Sequence, residues 1–250
     1  MPIYGALPRA EYRQQPKRQP RGLGFERYSL LFDGTNYGRV PHDVSLDMGA
    51  NQDFSIEAVV RTGDVTVRET ICSKYAGVGG YIFGLRDTKI NLYMNDGAGT
   101  NYYSNLINLS HNGQWMQVAV AADRSGNAQF YLNELPFGTD DISLRFGSLA
   151  SLAPFDIGEY QLSNFWIGDI AYLRVYRDYL LTQKDVEWNR LNYHNPVHPE
   201  FIVLWFPFEE GAGLVAGDHS GLGNDGALLP ALSPPTWEPV KKWELRAETE

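Results

Sequence analysis

Cysteine is almost absent from this sequence. Cys72 is the only one among 250 residues, so no intrachain disulfide can form and thiol usage indicates no compartment. The fold must therefore be stabilised by an apolar core, and hydrophobic residues make up 43% of the chain. That content and length are enough for one sizeable domain.

Long apolar runs are also missing. No stretch approaches the roughly 20 residues of a membrane-spanning helix. The N-terminus has prolines and arginines where a signal peptide needs an apolar segment. We therefore expect no membrane span and no export signal in this chain.

Basic residues are in the minority, with 21 Lys and Arg against 30 Asp and Glu and a net charge of -9. A nucleic acid requires a positive surface, so we expect none to bind the body of the protein. Residues 1–22 are the exception, because five basic and one acidic side chain give them +4 and leave -13 for the rest. The five are Arg9, Arg13, Lys17, Arg18 and Arg21.

The first 24 residues also lack the pattern of a regular element. Four prolines between residues 2 and 20 would interrupt a helix or a β-ladder. We expect an extended, basic, proline-rich arm over residues 1–24 that binds a partner through its five basic side chains. A flexible leader without a partner is the alternative.

From residue 28 onward, short apolar or alternating runs are separated by turn signals such as Asp33-Gly34 and Asn112-Gly113. This spacing predicts a β-sandwich or barrel. One helix is predicted after Thr182, where Asp185 completes a capping box, and should end near Asn192. The predicted strands cover residues 28–33, 54–61, 81–85, 89–94, 115–122, 128–132, 165–177 and 201–208.

Four segments in order resemble the laminin-G-like branch of the concanavalin A-like lectin and glucanase superfamily. They are SLLFDG at 29–34, DFSIEAVV at 53–60, GQWMQVAV at 113–120 followed by FYLN at 130–133, and IGDIAYLRVY at 167–176 running into 180–186. The resemblance covers roughly residues 28–230. It implies an all-β, two-sheet antiparallel jelly-roll sandwich with one short helix over residues 25–230, leaving 231–250 as a C-terminal surface tail.

Two further segments, 205–213 and 218–226, resemble a part that these domains usually carry before the first of the four segments. Here this part lies near the C-terminal end of the sequence. The first and last strands of a jelly roll are neighbours, so we expect a permuted arrangement in which residues 201–229 close the sheet.

The catalytic signature of the superfamily's glucanases is an E-x-D-x-E strand, which this chain lacks. The nearest pair, Asp53 and Glu57, lies on one face of a strand but about 13 Å apart by rise. We expect a non-catalytic member. A degenerate glycoside hydrolase, whose turnover would depend on Glu57, is the alternative.

Calcium binding in such relatives uses an Asp-x-Ser-Gly loop and an acidic pair in the last strand. Asp218, Asn224 and Asp225 match the loop, but residues 170–174 read IAYLR where the family has I-D-E-V-R. We therefore expect no metal and no cofactor, and a loop held by its own turn hydrogen bonds.

Aromatic residues in predicted loops form the candidate glycan or partner surface. They are Tyr102, Tyr103, Tyr160 and Trp166. Such rings either stack on sugars or pack inside the protein and at an interface rim.

The resemblance implies adhesion, glycan binding or particle assembly, and fold alone does not choose among these. The basic arm favours a structural component of a larger assembly. Our leading hypothesis is a coat, decoration or tail component of a phage or virus particle, exposed at the particle surface, oligomeric there and bound to other subunits by residues 1–24. The alternative is an extracellular, glycan-binding, lectin-like adhesin.

Overall fold

Two antiparallel sheets contain most of the regular structure in the computed structural model, which describes residues 27–240 apart from the side chain of Arg27. The first strands are β1 (Arg27–Asp33), β2 (Tyr37–Val40), β3 (Phe54–Thr62), β4 (Glu69–Tyr75), β5 (Gly80–Arg86), β6 (Lys89–Asn95), β7 (Gly99–Leu106) and β8 (Trp115–Ala122). They are followed by β9 (Asn127–Leu132), β10 (Leu135–Asp141), β11 (Phe155–Ile157), β12 (Ile167–Arg177), β13 (Ile202–Phe206), β14 (Val215–Ala216), β15 (Gly226–Leu229) and β16 (Thr236–Val240). One α-helix, α1 (Gln183–Leu191), and short 3-10 helices at Val44–Leu46, Leu109–His111 and Pro199–Phe201 complete the elements of this part of the chain.

The strand orders define a jelly-roll sandwich. In the first sheet the order is β10, β9, β8, β3, β12, β1, β16, with β13 also paired to β12. In the second sheet it is β14, β15, β2, β11, β4, β5, β6, β7. The all-β, two-sheet antiparallel fold expected from the sequence is thus confirmed.

The core lies between the sheets because alternate residues of each strand face inward. In β6, for example, Ile90, Leu92 and Met94 are fully buried in the main core cluster, whereas Tyr93 lies on the opposite face. Burying each aromatic or aliphatic side chain contributes about 1.5–3 kcal/mol. The largest buried apolar residues include Phe32, Phe54, Phe83, Phe130, Phe155 and Phe206.

Strands from the C-terminal third complete both sheets. Leu204 of β13 pairs with Val175 in the first sheet, and Leu228 of β15 pairs with Gly38 in the second. The sandwich also extends past the boundary drawn at residue 230. Residues 236–240 form β16 along the edge of β1, and the partly buried Trp237 packs on the core, so this part of the expected surface tail is corrected to an edge strand.

Helix α1 begins where the sequence predicts. The Thr182 side chain accepts a hydrogen bond from Asp185 N–H, the Asp185 carboxylate accepts one from Thr182 N–H, and the C-cap is Asn192. The helix packs on the outer face of the first sheet, where Gln117 Nε2 donates to Val186 O at 2.9 Å. Between residues 27 and 240 no helix has the length and apolar character needed to cross a bilayer. The outer face of the second sheet lies on the opposite side of the sandwich from α1.

Candidate functional site: a tyrosine-lined sheet face

The four aromatic residues singled out in the sequence lie in different environments. Trp166 is fully buried in the core cluster, and Tyr102, only 6% exposed, points inward from β7. Neither can stack on a ligand, so both are corrected to packing residues. The backbone N–H of Trp166 donates to Gly158 O at 2.9 Å and so ties the segment before β12 to the residue that follows β11. Tyr103 and Tyr160 are partly exposed.

Tyr160 belongs to a cluster that sequence reasoning did not assemble. We define the tyrosine cluster as Tyr75, Tyr93 and Tyr160, all partly exposed. The ring centroids of Tyr75 and Tyr93 lie 5.3 Å apart at 84°, and those of Tyr75 and Tyr160 lie 5.4 Å apart at 54°. The three rings thus form one continuous aromatic patch on the outer face of the second sheet.

Strand register brings two rings of this cluster together. Tyr75 of β4 lies opposite Gly80, and Tyr93 of β6 lies opposite Ile82, so the two tyrosines are separated by β5. A Cβ at Gly80 would lie 1.9 Å from Lys74 O, and a Cβ at Gly99 of β7 would lie 1.9 Å from Tyr93 Oη. Glycine at position 80 therefore allows β4 and β5 to pair closely, and glycine at position 99 leaves room for the Tyr93 hydroxyl.

The tyrosine hydroxyls are held in fixed positions. Tyr75 Oη donates to Gly77 O at 2.9 Å and accepts from Asn95 Nδ2 at 3.2 Å. Tyr93 Oη lies 3.4 Å from Tyr75 Oη. Burial and the neighbouring Tyr75 hydroxyl raise the pKa of Tyr93 to about 12, so this hydroxyl is neutral at physiological pH. The patch is therefore uncharged, with hydroxyl and amide groups at its edge.

Next to the cluster lies a pair of carboxylates, Asp156 and Glu159, that share one guanidinium. Arg39 Nε and Nη2 donate to Asp156 at 2.6 and 3.0 Å, and Nη2 also donates to Glu159 Oε1 at 3.0 Å. Arg39 is about one-third exposed, whereas the Glu159 side chain is fully buried. Burial, and then the charge of Asp156, raise the pKa of Glu159 to about 7.

Tyr103 lies at the far edge of the same face, on the outermost strand β7. Its ring accepts a cation–π contact from Lys89 Nζ at 5.2 Å, and its N–H donates to Asp140 Oδ2 at 3.1 Å. It contributes to the face but lies apart from the three-ring cluster.

Glu57 lies in a buried network of hydrogen bonds and charges beneath α1. Its side chain and that of Arg174 are both fully buried beneath α1, with Arg174 Nη1 2.7 Å from Glu57 Oε1. Asn189 Nδ2 from the helix donates to the same oxygen at 2.8 Å. Asp53, the other carboxylate considered from the sequence, accepts a hydrogen bond from Arg124 N–H at 2.8 Å. Both carboxylates hold elements together, and Glu57 has no exposed surface for a substrate.

The Asp218 loop is closed by its own hydrogen bonds, as the sequence predicts. Asp218 accepts four, from the N–H groups of Trp205, Ser220 and Asn224 and from the Ser220 hydroxyl, at 2.6–3.0 Å. Asp225 accepts a further one from Asp218 N–H at 2.8 Å. Within residues 27–240 no group of three or more His, Cys, Asp and Glu side chains is arranged to hold a metal ion. The five basic residues of the arm lie outside the described part of the chain.

Comparison with known proteins places the chain in a family. The model of the Laminin_G_3 family, of the concanavalin A-like lectin/glucanases superfamily, matches residues 32–187, more than half of the chain. The chain therefore belongs to this family, as the sequence motifs predict. No curated protein matches it.

Solved structures show the same fold. A heptameric SAP-like pentraxin from Limulus polyphemus superposes with a TM-score of 0.51 at 19% identity, covering 67% of this chain and 83% of the pentraxin. The binding domain of botulinum neurotoxin serotype G gives 0.50 at 16% identity, covering 64% of this chain and 40% of that one. Domain 4 of the arabinanase AbnA from Geobacillus stearothermophilus, solved with arabinotriose, gives 0.49 at 20% identity, covering 63% and 74%. At these identities the likeness to the first two structures concerns the fold alone.

Proposed function

We propose that this protein is a non-enzymatic binding module whose tyrosine cluster recognises a saccharide. The observation that carries the proposal is the continuous patch of three partly exposed rings on the outer face of the second sheet. The sequence favours an assembly component with glycan binding as the alternative; the tyrosine cluster is the feature that supports glycan binding as our first proposal.

The chemistry of the patch suits a sugar. A pyranose has a face of C–H groups that packs on an aromatic ring, and hydroxyls at its rim that need hydrogen-bond partners. The tyrosine rings supply the apolar surface. The Tyr75 and Tyr93 hydroxyls supply polar groups beside it. The cluster itself carries no charge, which favours a neutral saccharide.

A glycan array at pH 6 tests the proposal, with the full chain and with a variant lacking residues 2–22. We expect saturable binding of a limited set of glycans that persists without the arm. Tyr160→Ala removes one ring, worth about 1 kcal/mol, and should raise the dissociation constant roughly fivefold.

Tyr179→Ala is the matched control, since Tyr179 is a partly buried tyrosine stacked at 5.3 Å on Phe201, beside α1. It should leave glycan affinity unchanged. The absence of any saturable glycan binding, or an equal loss in both variants, would contradict a sugar site at the tyrosine cluster.

A second candidate is the structural component of a phage or virus particle. Charge segregation favours it, because residues 1–22 carry +4 and the rest of the chain -13. A basic extended segment binds acidic surfaces of neighbouring subunits and steers their association. The contacts would come from Arg9, Arg13, Lys17, Arg18 and Arg21.

Size-exclusion of the full chain against the variant lacking residues 2–22 tests this second candidate. Association that is lost with the arm, and that weakens as salt is added, supports it. Identical elution of the two proteins at high concentration and low salt would count against an assembly role.

A further inference from the structure

The loop between β11 and β12 folds back over the outer face of the second sheet. Ser73 Oγ of β4 donates to Glu159 O at 3.0 Å, and Tyr160 and Ser163 exchange two backbone hydrogen bonds at 2.9 and 3.0 Å. This tight turn places Tyr160 against Tyr75. Loop residues 159–164 therefore position one ring of the tyrosine cluster.

The turn has an unfavourable backbone. Gln161 and Leu162, its two central residues, have φ values of 48° and 56°, and Asn164 has 48°. Residues other than glycine adopt this left-handed region at a cost in free energy. Contacts from the surrounding structure must therefore hold the turn in place.

Glu159 supplies such a contact through its carboxylate. Leu162 N–H, in the centre of the turn, donates to Glu159 Oε2, while Arg39 of β2 donates to Oε1 at 3.0 Å. The same side chain thus links the turn to the sheet. It is fully buried, and so its charge state matters to the loop.

The charges around Glu159 do not balance when it is ionised. Arg39 is the cation facing it, and Asp156 of β11 is a second carboxylate on the same guanidinium. Strand β4 contributes the uncharged Ser73, while Arg68, before β4, faces Tyr160. The Leu162 N–H and Arg39 favour the ionised carboxylate and lower the pKa of Glu159, but burial and the second carboxylate, Asp156, outweigh them and favour the protonated form.

We propose that Glu159 makes the tyrosine cluster pH-dependent: protonated, it holds the 159–164 loop and Tyr160 in place, and ionised, it releases them. The consequence for binding rests on the saccharide function proposed above. Ligands of the cluster then bind more tightly in mildly acidic solution than above neutrality.

The expected size follows from linkage between protonation and loop opening. The pKa of Glu159 is about 7 in the docked loop against an ordinary value of 4.5, which is taken for the released loop. Between pH 5 and pH 8 the equilibrium constant for opening should then rise by roughly 70-fold. Most of the rise falls between pH 5 and 7.

Amide exchange of Leu162 and Ser163, measured by NMR and corrected for the intrinsic rate, tests this directly. We expect the protection of both amides in the wild type to fall by roughly 70-fold from pH 5 to pH 8. Glu159→Gln keeps the shape of the side chain without a titrating proton, so protection should change less than about twofold over this range.

Glu69→Gln is the matched control, because burial also raises the pKa of Glu69 to about 7 and its carboxylate accepts no hydrogen bond from the turn. It should retain the wild-type loss of protection. Asp156→Asn removes the neighbouring charge. It should shift the loss of amide protection to lower pH and make that loss smaller. Wild-type protection that is independent of pH, or an unchanged pH dependence in Glu159→Gln or Asp156→Asn, would overturn the proposal.

This measurement needs no ligand, so it separates the loop from the saccharide function. Repeating the glycan array at pH 8 tests whether the loop controls saccharide binding. Glycan binding that is equal at pH 6 and pH 8 would contradict the proposed pH dependence but would leave the saccharide function supported. An array without binding, together with pH-dependent amide exchange, would contradict the saccharide function but support the pH-dependent loop.

Discussion

Replacing Arg174 with methionine should destabilise the protein severely. The guanidinium is fully buried and lies 2.7 Å from Glu57 Oε1, and it also donates to Tyr193 O. Methionine fills similar space but leaves the Glu57 carboxylate buried without its cation. At an effective dielectric constant of 20, two charges about 4 Å apart attract by about 4 kcal/mol. Breaking buried pairs by removing one partner costs about 3–5 kcal/mol, so we expect a loss in that range.

Urea unfolding followed by circular dichroism measures this loss. Arg86→Met is the matched control, because Arg86 pairs at 3.4 Å with Asp87, whose side chain is 77% exposed; it should cost about 1 kcal/mol or less. Burial already raises the pKa of Glu57. Without Arg174 the carboxyl should take up a proton readily, and the destabilisation should therefore be smaller at pH 5 than at pH 8. Equal small losses in the two variants would refute the argument that Glu57 and Arg174 depend on each other.

Three further outcomes are expected. Because burial raises the pKa of Glu69 to about 7 from 4.5, the folded chain retains a proton that the unfolded chain loses. The free energy of unfolding should therefore fall by up to about 3 kcal/mol as pH rises from 4.5 to 7, and Glu69→Gln should flatten that part of a urea-derived stability profile. Asp218→Ala removes four hydrogen bonds and should cost about 1–3 kcal/mol, while a chelator should leave the Tm unchanged; a Tm lowered by the chelator would mean that the loop binds a metal. Thr182→Ala removes the helix cap and should cost about 1 kcal/mol in the same urea assay, whereas no loss would show that tertiary contacts alone hold α1.

The sequence predicts the elements with a strong local signal. β8 and β12 are near-continuous apolar runs, and α1 has a complete capping box, so each was located to within about two residues. β4 was missed because Glu69, Ser73 and Lys74 interrupt its apolar pattern, although all are buried. Their burial depends on partners far along the chain, such as Ala153 O for Lys74 Nζ.

The candidate site was only partly predictable, for the same reason. Alternation in β6 indicates that Tyr93 faces outward from the core, and Tyr160 was singled out in a loop. Nothing local shows that Tyr75 and Tyr93 meet across β5, since that contact depends on strand register. The interpretation of Trp166 as a surface residue is wrong for a related reason, because its position just before β12 does not reveal that the ring is fully buried in the core.

The pairing of β1 with β16 places Arg27 beside Val240, on the sheet that α1 covers. Both positions thus lie at one edge of the sheet that does not carry the three rings. Copies joined to one another through these ends would each keep the three rings on the other sheet. Weak individual contacts with a repetitive polymer would then add up to avidity without any change in the single site.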